Sequence, residues 1–413
     1  MKSLASFYHH RIAVVAVDKG TARVEPLAEE TRNAGLGGAA LGAVLADRHP
    51  GSIVFATGPL TGSFAPGSGL LTATFARLEQ SGPCAHVALP QGHGAWLRQS
   101  GFDALVITGA APAPRVVRCG KGDAAAAPAP GQCNSREFMR AALLRRTDDG
   151  VAGLILADTH APEMPPAAGG EYGTLPGARL LGAALRARNI TAVCLEGGGP
   201  LPPMPVPLDN APRVLCGAAK ASGNALHGAF SAEANLPENA AFPFPFRKAA
   251  CHHCPSPCLG WIGTGKDRHL LVADHAAFAA VYAALGAKTP DCLALCDSLG
   301  IDATVAALMV ADVPPEDMPD FLRNARPGPA PAKSGPAQSS PAQSSLTQSI
   351  QTEPGRATDS SDAMRAGLIL GVCPRLIRRF PALGETALAA LLGPDAPERL
   401  ERAGSLLTRE VYI

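Results

Sequence analysis

The stretch Arg11-Ile12-Ala13-Val14-Val15-Ala16-Val17, followed by Asp18-Lys19-Gly20 and Ala22-Arg23-Val24-Glu25, joins a β-branched apolar run to a second short run through a glycine-containing turn. That pattern predicts a β-hairpin. Five further runs bounded by Gly, Pro or Asp read the same way: residues 52–57, 70–75, 104–108, 153–157 and 191–195. The N-terminal half is therefore expected to be rich in strands, with helices over 135–145, opened by a capping serine, and over 176–188.

Beyond about residue 215 the pattern changes. Residues 274–285, 290–299 and 303–310 carry apolar side chains at helical spacing, which predicts a mainly α region. From Val313 to Asp362 the chain degenerates into Pro, Ser, Gln and Ala, and Pro-Ala-Gln-Ser-Ser occurs twice, at Pro336 and Pro341. So little apolar surface cannot offset the entropy of ordering, so a disordered insert is expected. Helical patterning resumes at Met364. The reading is an α+β chain: a β-rich base domain over 1–212, a helical domain over 213–312, a low-complexity linker over 313–362 and a short helical remnant over 363–413.

Composition narrows the function. An apolar content of 46% against 17% charged residues indicates buried cores, and a formal charge of +1 without a basic stripe argues against nucleic acid. The N-terminus lacks the apolar core of a signal peptide, and no apolar run is long enough to span a bilayer, so a soluble, cytoplasmic protein is expected. Eleven scattered cysteines suit a reducing compartment with metal ligands better than a disulfide framework. Cys84, Cys119, Cys133, Cys194 and Cys216 stand singly and read as small buried apolar residues.

Three cysteines do not stand singly. Cys251, Cys254 and Cys258 form a Cys-x2-Cys-x3-Cys run whose thiolates can converge on one metal centre. Zinc is a rival, because His252 and His253 lie within the run, but reaching the same metal from inside the turn would be strained, and no second Cys-x2-Cys pair follows. The radical-enzyme spacing, Cys-x3-Cys-x2-Cys, is the reverse of this one. A four-iron cluster needs a fourth thiolate, for which Cys292, Cys296 and Cys373 are the downstream candidates. Cys292 and Cys296 also read as a packed helix face.

Several motifs together resemble the aldehyde ferredoxin oxidoreductase family. Phe55-Ala56-Thr57-Gly58-Pro59-Leu60-Thr61-Gly62 with Ala65-Pro66-Gly67-Ser68-Gly69 is the most specific match. Residues 101–109 and the glycine-rich run 35–42 fit later and earlier landmarks. The latter contains Gly-x-Gly-x-x-Ala, but a polar run precedes it instead of a strand, so a dinucleotide site is not indicated. The resemblance implies tungsten enzymes that oxidise aldehydes to carboxylic acids and pass electrons through a four-iron cluster to ferredoxin or another carrier. It also implies a β-rich base that seats the cofactor, with helical domains carrying the cluster. It assigns Cys251, Cys254, Cys258 and Cys373 as cluster ligands, Cys373 closing a segment that runs from Leu368. It makes Asp297, Gly300 and Asp302 an Asp-x-x-Gly-x-Asp grip on one pterin of a tungsten or molybdenum bis-pterin.

The chain also departs from the family. Leu368 stands where the second pterin segment has aspartate, and Leu70 where an arginine faces cofactor phosphates. A glycine- and arginine-rich loop has its arginine displaced to Arg179, and a glutamate-rich motif has shrunk to Asp274-His275, so no catalytic residue is assigned. Two functions remain open: an aldehyde oxidoreductase, or a paralogue that keeps the cluster and serves electron transfer or assembly. Oligomeric state, homo-oligomer included, stays open.

Overall fold

The computed structural model describes residues 4–63, 65–76, 84–130, 136–144, 152–157, 165–175, 177–201, 242–251, 253–254, 259–264, 269–272, 275–324, 365–379, 396–407 and 411–412. The opening hairpin forms as expected: β1 (Arg11–Ala16) pairs antiparallel with β2 (Thr21–Pro26), Val14 opposite Arg23. With β3 (Ile53–Ala56), β4 (Leu71–Phe75), β5 (Ala85–Leu89) and β6 (Ala104–Thr108) these strands build one mixed sheet. A second sheet contains β7 (Arg115–Gly120), β8 (Asp123–Pro128), β9 (Ala152–Leu156) and β10 (Ile190–Glu196), in the order β8-β7-β10-β9. The chain later adds a three-stranded sheet, β11 (Phe246–Ala249), β12 (Leu259–Gly263) and β13 (His269–Val272). Finally β14 (Val411–Tyr412) joins the first sheet, giving the order β14-β5-β4-β3-β6-β1-β2.

Successive side chains of a strand point to opposite faces. In β1, β3 and β6, Val14, Val54 and Val106 enter one core, while Val15, Phe55 and Leu105 enter another. The first core is closed by the helices Glu29–Gly35 and Gly38–Arg48 and by the helical segments around Leu368 and Leu376. The second is closed by Val117 and Val193 of the second sheet and by Leu181 and Leu185 of the helix Ala178–Arg186. Central strands covered on both faces must be apolar at every position, which is why these runs are unbroken in the sequence.

A third core gathers the helices His275–Leu285, Thr289–Leu299, Ala303–Val310 and Met318–Asn324 around Phe278, Val281, Leu293 and Val310. Two corrections to the sequence reading arise here. The second half is less purely helical than expected, because β11, β12 and β13 precede its helices. The segment expected to be a linker from Val313 begins with a packed helix, since Met318 and Leu322 of Met318–Asn324 are buried. Residues 325–362 of that segment, with Cys133, Cys216, Ser135 and Asp274, lie outside the described residues. No helix among the described residues is long and apolar enough to cross a membrane.

Candidate functional site

The cysteine run lies in the connection between β11 and β12, which pair antiparallel from Phe246 opposite Ile262 to Ala249 opposite Leu259. The Cys254 N–H donates to the Cys251 carbonyl over 3.0 Å, closing a tight turn in which His253 takes a left-handed φ of 54°. Cys258 lies outside the described residues. Cys373, more than a hundred residues later in sequence, follows a helix over 365–370 and opens the helix Pro374–Arg379, its carbonyl accepting the Leu376 and Ile377 N–H groups.

One residue joins the two segments. The Gly67 N–H donates to the His253 carbonyl (3.0 Å), and the Gly67 carbonyl accepts the Cys373 N–H (2.9 Å). A Cβ on Gly67 would stand 3.1 Å from the Cys373 Cβ, so the absence of a side chain permits this approach. The Ala-Pro-Gly-Ser-Gly signature therefore brings the Cys251–Cys254 turn and Cys373 to the two sides of one residue. Among the described residues no group of three His, Cys, Asp or Glu side chains is gathered as a ready metal site.

The other downstream thiols behave differently. Cys292 and Cys296 are fully buried in the helical core with their sulfurs 3.9 Å apart. The hydrogen bond from Cys292 and burial push the Cys296 thiol well above its ordinary value, which disfavours the thiolate a metal requires. They form a packed face. Cys119 and Cys194 are likewise buried; burial raises both thiols, Cys194 to about 12.

The segments 297–302 and 368–373 share one backbone design. Gly300 and Gly371 both end a helix with φ of 77°, and the glycine and the residue after it donate N–H groups to one carbonyl, of Cys296 in the first case and of Gly367 in the second. Two residues past the glycine, Asp302 and Cys373 open the next helix; one Asp302 oxygen accepts the Thr304 and Val305 N–H groups. Each turn presses on the N-terminal region. The Leu370 carbonyl accepts the Leu60 N–H, and the Gly300 carbonyl accepts the Ala167 N–H. Gly37, Gly38 and Gly58 lack the Cβ that would collide with the backbone of residues 368–371.

Their side chains diverge. Leu368 is fully buried in the first core. Asp297 is buried beneath the helix Arg136–Leu144: Arg140 places Nη1 2.7 Å from Oδ2 and Nη2 2.9 Å from Oδ1, and Arg136 Nη1 stands 3.5 Å from Oδ1. Burial alone would raise this carboxyl, but Arg140 and Arg136 outweigh it and hold the group below the ordinary range. Burial lowers Arg136 to about 10, against the opposing pull of Asp297, so it remains a cation at neutral pH. Of the other residues marked by the sequence, Leu70 is buried, Arg179 is exposed, and the His275 side chain lies outside what is described.

A further buried ion pair had no signature in the sequence. His93, at the start of the helix His93–Gln99, reaches the Pro90 carbonyl through Nδ1 (2.7 Å) and the Leu154 carbonyl through Nε2 (3.0 Å), with Glu171 Oε2 3.3 Å from Nε2. Burial pulls the imidazole down, but the Glu171 charge and these hydrogen bonds more than reverse it, holding His93 at about 9. The pair joins positions 78 apart, beyond the reach of any local pattern.

Residues 12–197 match the family model of the aldehyde ferredoxin oxidoreductase N-terminal domain. The match shows an aldehyde ferredoxin oxidoreductase N-terminal domain over that span. The matched residues run from Ile12 in β1 through β10, and so include Gly67 and the Arg136–Leu144 helix. Among solved structures, the active site complex BamBC of benzoyl coenzyme A reductase in complex with 1,5-dienoyl-CoA is similar in fold, with a TM-score of 0.58 and 13% sequence identity. That likeness covers 74% of this chain and 55% of the other, so the chain spans just over half of that structure's length. No curated protein matches its sequence.

Proposed function

We propose that the chain is an iron–sulfur redox protein of the aldehyde ferredoxin oxidoreductase family, holding one four-iron cluster with Cys251, Cys254, Cys258 and Cys373 and exchanging electrons with ferredoxin or another carrier. The observation that carries this reading is Gly67, whose N–H and carbonyl tie the Cys251–Cys254 turn and Cys373 to a single residue. Four thiolates suit such a cluster, and members of the family generally bind iron–sulfur clusters alongside tungsten or molybdenum pterins. When bound, a four-iron cluster supplies one-electron uptake and release. The chain's own part is to place the four thiolates through the β11–β12 connection and the Pro374–Arg379 helix start, and to set their burial.

The fuller reading, aldehyde oxidation at a tungsten or molybdenum pterin, asks for carboxylates at both pterin segments. The residues present do not fit it: Leu368 offers no acceptor, and both Asp297 oxygens are held by arginine. The test is anaerobic purification followed by metal analysis and electron paramagnetic resonance of the reduced protein. About four irons per chain with a cluster signal are expected, and Cys373→Ser should lose most of that iron. Zinc in place of iron, or unchanged iron and spectrum in Cys373→Ser, would refute the assignment.

A further inference from the structure

We infer that Arg140, backed by Arg136, occupies the donor position on Asp297 that a pterin edge would take, so that the Asp-x-x-Gly-x-Asp segment of this chain fastens the helical region to the N-terminal domain in place of holding a cofactor. The inference does not depend on the cluster. A pterin presents an amino group and a ring N–H side by side, a two-point donor edge that suits a carboxylate. Arg140 presents the same pattern, with Nη1 on Oδ2 at 2.7 Å and Nη2 on Oδ1 at 2.9 Å. Such a planar fork on a carboxylate is the strong, directional form of the ion pair.

The arginines are themselves anchored. Arg136 donates from Nε to the Ala157 carbonyl (3.1 Å) and from Nη2 to the Ala167 carbonyl. Arg140 donates from Nε and Nη2 to the Gly170 carbonyl at 2.9 and 2.8 Å. Gly169 is shaped to admit the pair, since a Cβ there would lie 2.6 Å from Arg136 Nη1 and 3.2 Å from Asp297 Oδ1. Backbone bonds then seal the turn on both sides: the Ala167 N–H reaches the Gly300 carbonyl (2.9 Å), and the Asp302 N–H reaches the Pro165 carbonyl (2.8 Å). A cofactor edge could reach Asp297 only by displacing the Arg140 guanidinium, which also makes two hydrogen bonds to the Gly170 carbonyl. Breaking a buried, hydrogen-bonded pair of this kind is strongly unfavourable.

The experiment uses the full chain purified from a host that makes molybdopterin and is supplied with tungstate and molybdate. Pterin is measured by its fluorescence after oxidative release, tungsten and molybdenum by elemental analysis, and iron separately, so that failure of the cluster assignment stays distinguishable. Wild type should carry less than about a tenth of an equivalent of pterin. Asp297→Asn and Arg140→Met should each lower the urea midpoint by about 1 M, and the double variant should fall no further than either single one. Near-stoichiometric pterin in wild type, or midpoint losses that add in the double variant, would overturn the inference.

Discussion

His93 and Glu171 are the pair of side chains through which pH should act most directly on this fold. His93 rises from an ordinary 6.5 to about 9 in the folded chain. Its contribution is therefore complete below pH 6.5 and is lost as pH climbs through 9. A shift of that size corresponds to about 3 kcal/mol. The urea midpoint should accordingly fall between pH 6.5 and 9. Glu171→Gln should be less stable at pH 6 and lose most of that slope, and a wild-type midpoint that stays level across the interval would show that the pair carries no such energy. Nothing local announces this contact: Gly92-His93 follows a strand end, Gly170-Glu171 sits in a loop, and only the packing of that loop on the Leu154 backbone brings them together. The Cys-x2-Cys-x3-Cys run is the opposite case, because its spacing can be read in the chain itself.

At the scale of elements, the two helix–glycine–cap turns explain what the glycines are for. Gly371 needs a left-handed φ, and a Cβ there would also collide with Thr61 Oγ1 and come within 2.8 Å of the Gly58 nitrogen. Gly51 has a similar φ, 73°, but open space around it. Alanine at Gly51 should thus cost only the conformational penalty, about 1 kcal/mol, whereas alanine at Gly371 should cost at least about 3 kcal/mol. Equilibrium unfolding of the two variants measures the difference, and equal losses would mean that the close approach of the two segments is not tight. Residues 104–108 read as a strand and form β6 over the same span, because a run covered on both faces is apolar, whereas the equally buried β5, Ala-His-Val-Ala-Leu, was not read because alanine and histidine dilute its β-branched signal. The helix Gly38–Arg48 was not read, because its glycines and alanines answer to the close approach of the 368–371 backbone more than to helix propensity. The strands β11 and β12 escaped because charge in Phe-Arg-Lys-Ala and glycine in Leu-Gly-Trp-Ile-Gly interrupt the apolar run.

Across the whole molecule, the C-terminal remnant completes the N-terminal core: Leu368, Ile369, Leu370, Val372, Leu376 and Ile377 pack with Leu36, Leu41, Leu45 and Val54. Restoring the family's aspartate as Leu368→Asp would place a carboxylate in that core and should destabilise the chain by about 3 kcal/mol or more without adding pterin. Thermal unfolding together with pterin analysis checks both halves; full stability with pterin gained would show instead that the segment still faces a cofactor. The sequence by itself carried the family resemblance, the β-rich first half and the candidate cysteine set, because strand burial and residue spacing leave their mark on local order. Only the tertiary structure decided that Gly67 joins the Cys251–Cys254 turn to Cys373, that Cys292 and Cys296 are core, and that Asp297 is held by Arg140. Each of those depends on which surfaces meet across a long stretch of chain, and hydrogen-bond geometry and excluded volume are properties of that meeting.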